Sequence, residues 1–287
     1  MRGDNVRPLV LVAAGALLVQ CNLFAQQRPL RTDDAELVKT GRVRLEFGFE
    51  FLQGQQFPLS GLKGDLTRVG VTSVHVGMGD YAEFQLSGVI RNFLSVTERT
   101  PQPPIPPDIS GNSTSDFGDL VFASKLKLVS EKGARPALAF KFAVQLPNAS
   151  NESGLGTDTT GFYGLLLASK HLGRLQALGN VGIAILDSPI QPSSQADLLT
   201  YGLAAIYPVK PKFNLVGEVS GRGDDLSKGY PSEAQARLGV QFWGAGLRWD
   251  IAGIAGLQEF DANWGMTIGL TYEFQAFGKK KPPTTIK

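Results

Sequence analysis

The stretch Arg42-Val43-Arg44-Leu45-Glu46-Phe47-Gly48-Phe49-Glu50-Phe51 decides the fold. Its odd positions are Val, Leu, Phe, Phe and Phe; its even positions are Arg, Arg, Glu, Gly and Glu. Successive side chains of a strand point to opposite faces, so strict alternation gives this strand one apolar and one charged side. The pattern returns along the chain. Ala82, Phe84, Leu86 and Ile90 alternate with Tyr81, Glu83, Gln85 and Ser87, and Leu138, Phe140, Phe142, Val144 and Leu146 alternate with Ala139, Lys141 and Gln145. Ala236, Leu238, Val240 and Phe242 alternate with Gln235, Arg237 and Gln241. Leu247, Trp249 and Ile251 alternate with Arg248 and Asp250; Met266, Ile268, Leu270, Tyr272 and Phe274 alternate with Thr267, Gly269, Thr271 and Glu273.

Twelve strands follow, at 42–52, 66–76, 81–91, 118–129, 137–146, 162–171, 175–186, 197–208, 213–221, 234–243, 247–255 and 264–274. The connections after even-numbered strands are short: Gly77–Asp80, Ser130–Pro136, Leu172–Arg174, Val209–Lys212 and Gly244–Gly246. Those after odd-numbered strands are generally longer, among them the Pro-rich Asn92–Phe117 and the polar Pro147–Gly161. Outer-membrane barrels place short turns on the periplasmic side and long loops outside. The fold class expected is all-β, a transmembrane antiparallel up-and-down barrel over residues 41–274. A secreted soluble sandwich is the competing fold. It does not account for the alternating loop lengths, nor for predicted strands 6 to 8, which are apolar on both faces from Phe162 onward.

Composition narrows the class. The chain has 287 residues, 43% hydrophobic and 19% charged, with 34 Gly, one Cys, two His and a net charge of +2. Charge below the usual ~25% excludes a disordered chain. The cysteine count excludes a disulfide scaffold and a Cys-ligated zinc site, and the small net charge argues against a nucleic-acid partner. No metal and no cofactor is expected. Arg2 and Arg7 precede an apolar run, Pro8–Val19, too short for the roughly 20 residues of a helical span. Residues 1–25 therefore read as an export signal ending at Ala25, with a lipid-modified Cys21 as the alternative. No later apolar run suits a helical span, so a membrane protein here must be a closed barrel.

The last predicted strand, Thr267-Ile268-Gly269-Leu270-Thr271-Tyr272-Glu273-Phe274, has the polar-x-Gly-x-x-apolar-x-aromatic form read by barrel assembly machinery. Thr267, Gly269, Tyr272 and Phe274 are its assembly-signal positions. Residues 275–287, with Lys279-Lys280-Lys281-Pro282-Pro283, form a basic periplasmic tail.

Gly118-Asp119-Leu120 leads a strand carrying Lys125; Pro136-Ala137-Leu138-Ala139, Leu146-Pro147 and Gly154-Leu155-Gly156-Thr157-Asp158 follow, and Gly265–Tyr272 closes the chain. On these residues the chain resembles the outer-membrane transporter family named for the meta-cleavage pathway of phenol degradation, across Val43–Phe274. The resemblance implies a barrel that helps small, often aromatic or hydrophobic, compounds cross the outer membrane. Its motifs mark turns and strand starts, so no substrate-binding residue comes with it.

Function is expected in the lumen. The polar faces place Arg44, Glu46, Glu50, Glu83, Lys125, Lys127, Lys141, Glu218, Arg237, Arg248, Asp250 and Glu273 on the inner wall. Six acids against six bases form either an interior salt-bridge network or the wall of a weakly ion-selective route. Leu166, Ala168, Leu178, Gly182, Ala184 and Leu186 are expected to add an apolar inner strip, which suits an amphipathic or aromatic solute. Residues 26–40 are assigned to the periplasm, with a plug inside the lumen as the second reading. The expected function is passive uptake of small, possibly hydrophobic or aromatic, molecules in the bacterial outer membrane. Its partners are outer-membrane lipids, the assembly machinery and the solute. A non-transporting structural or surface-interaction barrel is the alternative. An enzyme is not expected: His75 and His171 are the only histidines, both near short turns, and no Gly-x-Ser-x-Gly elbow occurs. Arg222-Gly223-Asp224 reads as loop composition, and Gly77-Met78-Gly79 as a turn.

Overall fold

The computed structural model describes residues 28–278. The predicted export signal, Cys21 and the Lys279–Pro283 run lie outside the described residues. β1 (Arg42–Phe57) pairs antiparallel with β13 (Trp264–Gln275), from Arg42↔Gln275 to Gln53↔Trp264, and this seam closes the sheet on itself. Between them run β2 (Leu62–Gly77), β3 (Ala82–Arg99), β4 (Ser113–Asp116), β5 (Leu120–Val129), β6 (Ala137–Leu146), β7 (Gly161–Leu172), β8 (Leu175–Asp187), β9 (Gln195–Lys210), β10 (Phe213–Arg222), β11 (Glu233–Gly244) and β12 (Leu247–Gly256). Each strand pairs antiparallel with its neighbours. Closure gives the backbone partners that hydrocarbon cannot supply.

The thirteenth strand does not widen the barrel. β4 and β5 lie end to end along β3 in one register, with Ser95 opposite Ser113 and Ser87 opposite Val121. They are two stretches of one wall position, interrupted at residues 117–119, where the Gly118 N–H still donates to the Val89 carbonyl at 2.9 Å. The wall is a closed twelve-stranded antiparallel barrel with one short extra strand.

Two loop expectations are corrected. Asn92–Phe117 is not all loop, because β3 continues to Arg99 and β4 pairs with it. The connection after β1 shrinks to residues 58–61, since β1 and β2 extend to Phe57 and Leu62. Both extensions carry the hairpins beyond the hydrocarbon. There a strand need not show an apolar face, and Gln53–Gln56 give no alternation to read. On the other rim the turns are tight. Ala245 and Gly246 both take positive φ, 54° and 77°, the twist-matched geometry of a two-residue hairpin.

Apolar side chains point outward along the strands, including Phe49, Phe84, Phe142, Ile183, Leu203, Leu238 and Ile268. Aromatic residues mark both ends of the belt, with Tyr81, Tyr207 and Tyr272 on the short-turn side and Phe93, Phe117 and Trp264 on the loop side. This distribution is that of an outer-membrane barrel. On the inner wall, Leu52, Leu62, Leu66, Leu94 and Ile254 form an apolar cluster near the loop side. Ile109 and Leu155, from the two longest loops, pack on it. The tail begins by binding back to the wall, as the Ala276 and Phe277 N–H groups donate to the Gly41 carbonyl.

Candidate functional site in the barrel lumen

The segment before β1 lies inside the barrel. Residues 28–38 cross the lumen rather than resting in the periplasm, which corrects the assignment of that stretch; Gln26 and Gln27 lie outside the described residues. The physical reason is charge. Arg28, Arg31, Asp33, Asp34 and Glu36 crowd one short run, and the inner wall offers partners for them.

Arg28 sits over the β1–β13 seam, donating to Thr267 Oγ1 at 2.8 Å and lying 3.6 Å from Asp250. Gln241 and Arg237 donate to the Arg28 and Pro29 carbonyls at 2.8 and 2.9 Å. Glu218 accepts the backbone N–H groups of Arg31 and Thr32, at 2.8–2.9 Å. Lys141 pairs with Asp33 at 2.6 Å and Lys127 with Glu36 at 3.0 Å. Lys125, with no solvent exposure, donates to the Asp34 and Glu36 carbonyls. Glu83 accepts the Val38 N–H at 2.6 Å. Apolar contacts complete the fit: Leu30 packs with Leu178, Ile206 and Val216, and Ala35 with Ala137, Ala139 and Leu167.

The structure thus places all twelve predicted wall charges on the inner face. They divide between two tasks. Arg44–Glu273, Arg248–Glu46 and Arg237–Glu50 join strand to strand, at 2.5, 3.2 and 2.8 Å. Lys127, Lys141, Glu218 and Asp250 hold the inserted segment, Arg237 also reaches it through the Pro29 carbonyl, and Lys125 and Glu83 touch both it and each other, 3.6 Å apart. The sequence placed Arg28, Arg31, Asp33, Asp34 and Glu36 in the lumen only under its second reading, a plug, and named none of them as a site residue. The available signal was their density beside a wall already read as charged.

The apolar strip needs a correction on one strand. Leu178, Ala184 and Leu186 are buried inside, with Gly182 on the same face, but Leu166 is 44% exposed and faces outward with Ala168. Leu165 and Leu167 take the inner positions, and Leu167 is fully buried. Both faces of β7 are apolar, so alternation could not assign the sides.

Of the assembly-signal positions, Thr267 and Gly269 face the lumen beneath Arg28, whereas Tyr272 and Phe274 stack with ring centroids 5.5 Å apart at the short-turn end. His75 lies on the inner wall with Nδ1 2.9 Å from Glu83 and Nε2 3.0 Å from Ser73 Oγ. That Ser–His–Glu order resembles a nucleophile relay, but Ser73 donates its proton to Glu46 at 3.0 Å. His171 is at a short turn against Glu131, 2.7 Å away. Arg222 of the Arg-Gly-Asp tripeptide pairs with Glu233 and stacks over Tyr230, so its head group is engaged.

Among the described residues, cavities lie on two sides of the inserted segment. The outer, about 400 Å³, opens among the loop-side ends of the strands and is lined by Leu52, Tyr163, Leu165 and Ile254 together with Arg31, Arg68 and Arg222. The inner, about 270 Å³, runs between the segment and β1–β3 down to His75 and Gln85. Arg31 and Arg68 line both.

A closed barrel with an apolar outer belt, a charged inner wall and its own N-terminal segment docked within is an outer-membrane barrel of the plugged kind. The chain belongs to the family described as "Putative MetA-pathway of phenol degradation", whose model matches residues 41–278. In fold it is similar to the COG4313 outer membrane channel from Pseudomonas putida F1, with a TM-score of 0.61 and 16% identity over 84% of this chain and 98% of that one. The translocator domain of the autotransporter NalP from Neisseria meningitidis matches at a TM-score of 0.47 and 13% identity, covering 83% of this chain and 90% of that one. The outer membrane channel DcaP of Acinetobacter baumannii matches at 0.42 and 9%, covering 83% and 100%. A comparison with curated protein sequences gives no match.

Proposed function

We propose that the protein is an outer-membrane channel for passive uptake of small hydrophobic or aromatic molecules. One observation carries the reading: the docked segment leaves a loop-side vestibule with an apolar wall and a polar one, continued inward by a second cavity. A concave site of a few hundred Å³ with apolar lining and a few polar groups is what a small amphipathic solute requires. The channel of like fold from Pseudomonas putida and the phenol-degradation name of the family support the same direction.

The alternative, a barrel that transports nothing, draws on the number of bonds holding residues 28–38. Flux measurements separate the two. Refolded protein in liposomes is expected to admit phenol and benzyl alcohol, and deletion of residues 28–38 to increase that flux. Absence of flux in the deleted form as well would leave the structural barrel standing.

A further inference from the structure

We infer that Arg31 and Arg68 form a carboxylate-binding constriction, so that the preferred solute is an amphipathic organic acid with a compact apolar body. As a statement about transport this rests on the channel reading above; as a statement about binding it stands on the site alone.

Position comes first. Arg31 and Arg68 are the two residues that line both cavities, so they stand at the boundary between the vestibule and the inner cavity. One belongs to the docked segment and the other to β2 in the wall.

Charge comes second. Arg31 is exposed although its chain neighbours Leu30, Thr32, Asp33 and Asp34 are buried. It makes no carboxylate ion pair among the described residues. With its amide oxygen turned toward Arg31, neutral Gln235 accepts from Nε at 2.7 Å and Nη1 at 2.5 Å. The nearby acids are already engaged. Glu218 gives its oxygens to the Arg31 and Thr32 N–H groups, and Glu50 is shared by Arg68 at 2.9 Å and Arg237 at 2.8 Å. In the vestibule, Glu233 pairs with Arg222, and Asp261 accepts the N–H groups of Ala234, Leu257 and Gln258. A surplus positive charge therefore faces the passage.

Shape comes third. Leu52, Tyr163, Leu165 and Ile254 offer apolar surface beside the arginines. A guanidinium fork holds a carboxylate by two parallel bonds, and the apolar side accepts a ring or short chain. The wall charges, six acids and six bases, show no such bias. The bias is local, from Arg31 of the inserted segment beside Arg68 of the wall.

The test titrates refolded full-length protein with phenylacetate and with its neutral isostere phenylacetamide, and follows uptake of both in liposomes. The acid is expected to bind at least about tenfold more tightly, the loss of one charge-assisted bond being of that size. Arg31→Gln should erase the difference and Arg31→Lys restore part of it, because lysine keeps the charge without the fork. Arg68→Gln should weaken acid binding and leave amide binding unchanged. Equal binding of acid and amide, or a preference untouched by Arg31→Gln and Arg68→Gln, overturns the carboxylate site. Uptake of neither compound overturns the channel reading instead, while the titration still decides the site.

Discussion

Gly48 and Gly269 face each other across the β1–β13 seam, and the gap left by their missing side chains is where the Arg28 guanidinium lies. A β-carbon at either position would collide with that guanidinium. The colliding group is the far end of a flexible side chain, so a substitution displaces Arg28 and spares the strands. Gly48→Ala and Gly269→Ala should therefore leave barrel stability within about 1 kcal/mol, since alanine also relieves the strand cost of glycine. Both should raise open probability in planar bilayers by loosening the start of the docked segment.

The same pair separates two roles for Gly269. As an assembly-signal position it should matter to insertion whatever stands at residue 28. As the floor of the slot it should matter only while Arg28 is present. Contacts that share a partner are non-additive. In an Arg28→Ala background, Gly269→Ala is expected to add nothing to conductance, and any remaining loss of heat-modifiable folded protein would report the assembly role by itself.

The barrel itself was legible because hydrocarbon and charge stand on opposite sides of most strands. Arg44, Glu46 and Glu50 could not share a face with anything but the lumen. What was illegible had no contrast to read: β7, apolar on both faces, gave Leu166 and Leu167 equal claims to the inside. The docked segment was legible only as a second reading, for another reason. Arg28 to Glu36 carry no period, and their place depends on partners from distant strands, such as Lys141 for Asp33 and Glu218 for the Arg31 N–H. Charges on the wall were visible, but which of them bind the wall and which bind the segment follows only from three-dimensional pairing.

Neighbouring residues on β6 test the two faces. Phe142 is 49% exposed toward the lipid, whereas Lys141 points inward to Asp33. Phe142→Arg places a charge in hydrocarbon and should cost about 2–4 kcal/mol near the midplane, read as a lower denaturant midpoint for refolding into lipid. Lys141→Ala should leave that midpoint nearly unchanged and increase conductance, because Asp33 loses its wall partner.

A pH effect is expected at the short-turn rim. Hydrogen bonds from His171 and Lys170, the latter at 2.7 Å, hold the Glu131 carboxyl down to about 2, against an ordinary 4.5. A carboxylate depressed in the folded state stabilises it fully above the ordinary value, and that contribution fades as pH falls from 4.5 through 2. Glu131→Gln should therefore lower the thermal midpoint at pH 7 by a small amount, Glu131 being close to solvent, and the two proteins should converge in strong acid. A difference that persists at the acid end would assign the effect to something other than this carboxylate.

His75 supplies the last test, because its surroundings imitate catalytic geometry. A hydroxyl has one proton to donate, and Ser73 gives it to Glu46 rather than presenting it to the imidazole. Glu83 in turn is committed to the Val38 N–H and approaches Lys125. The arrangement therefore fastens the docked segment to β2 and β3, and its mutants should behave as plug mutants. His75→Ala is expected to raise conductance by weakening the hold of Glu83 on Val38. Hydrolysis of short-chain nitrophenyl esters should stay at the buffer rate for wild type, His75→Ala and Ser73→Ala alike. Turnover that disappears with Ser73→Ala would make the constellation a hydrolase site and reverse the assignment of this corner of the lumen.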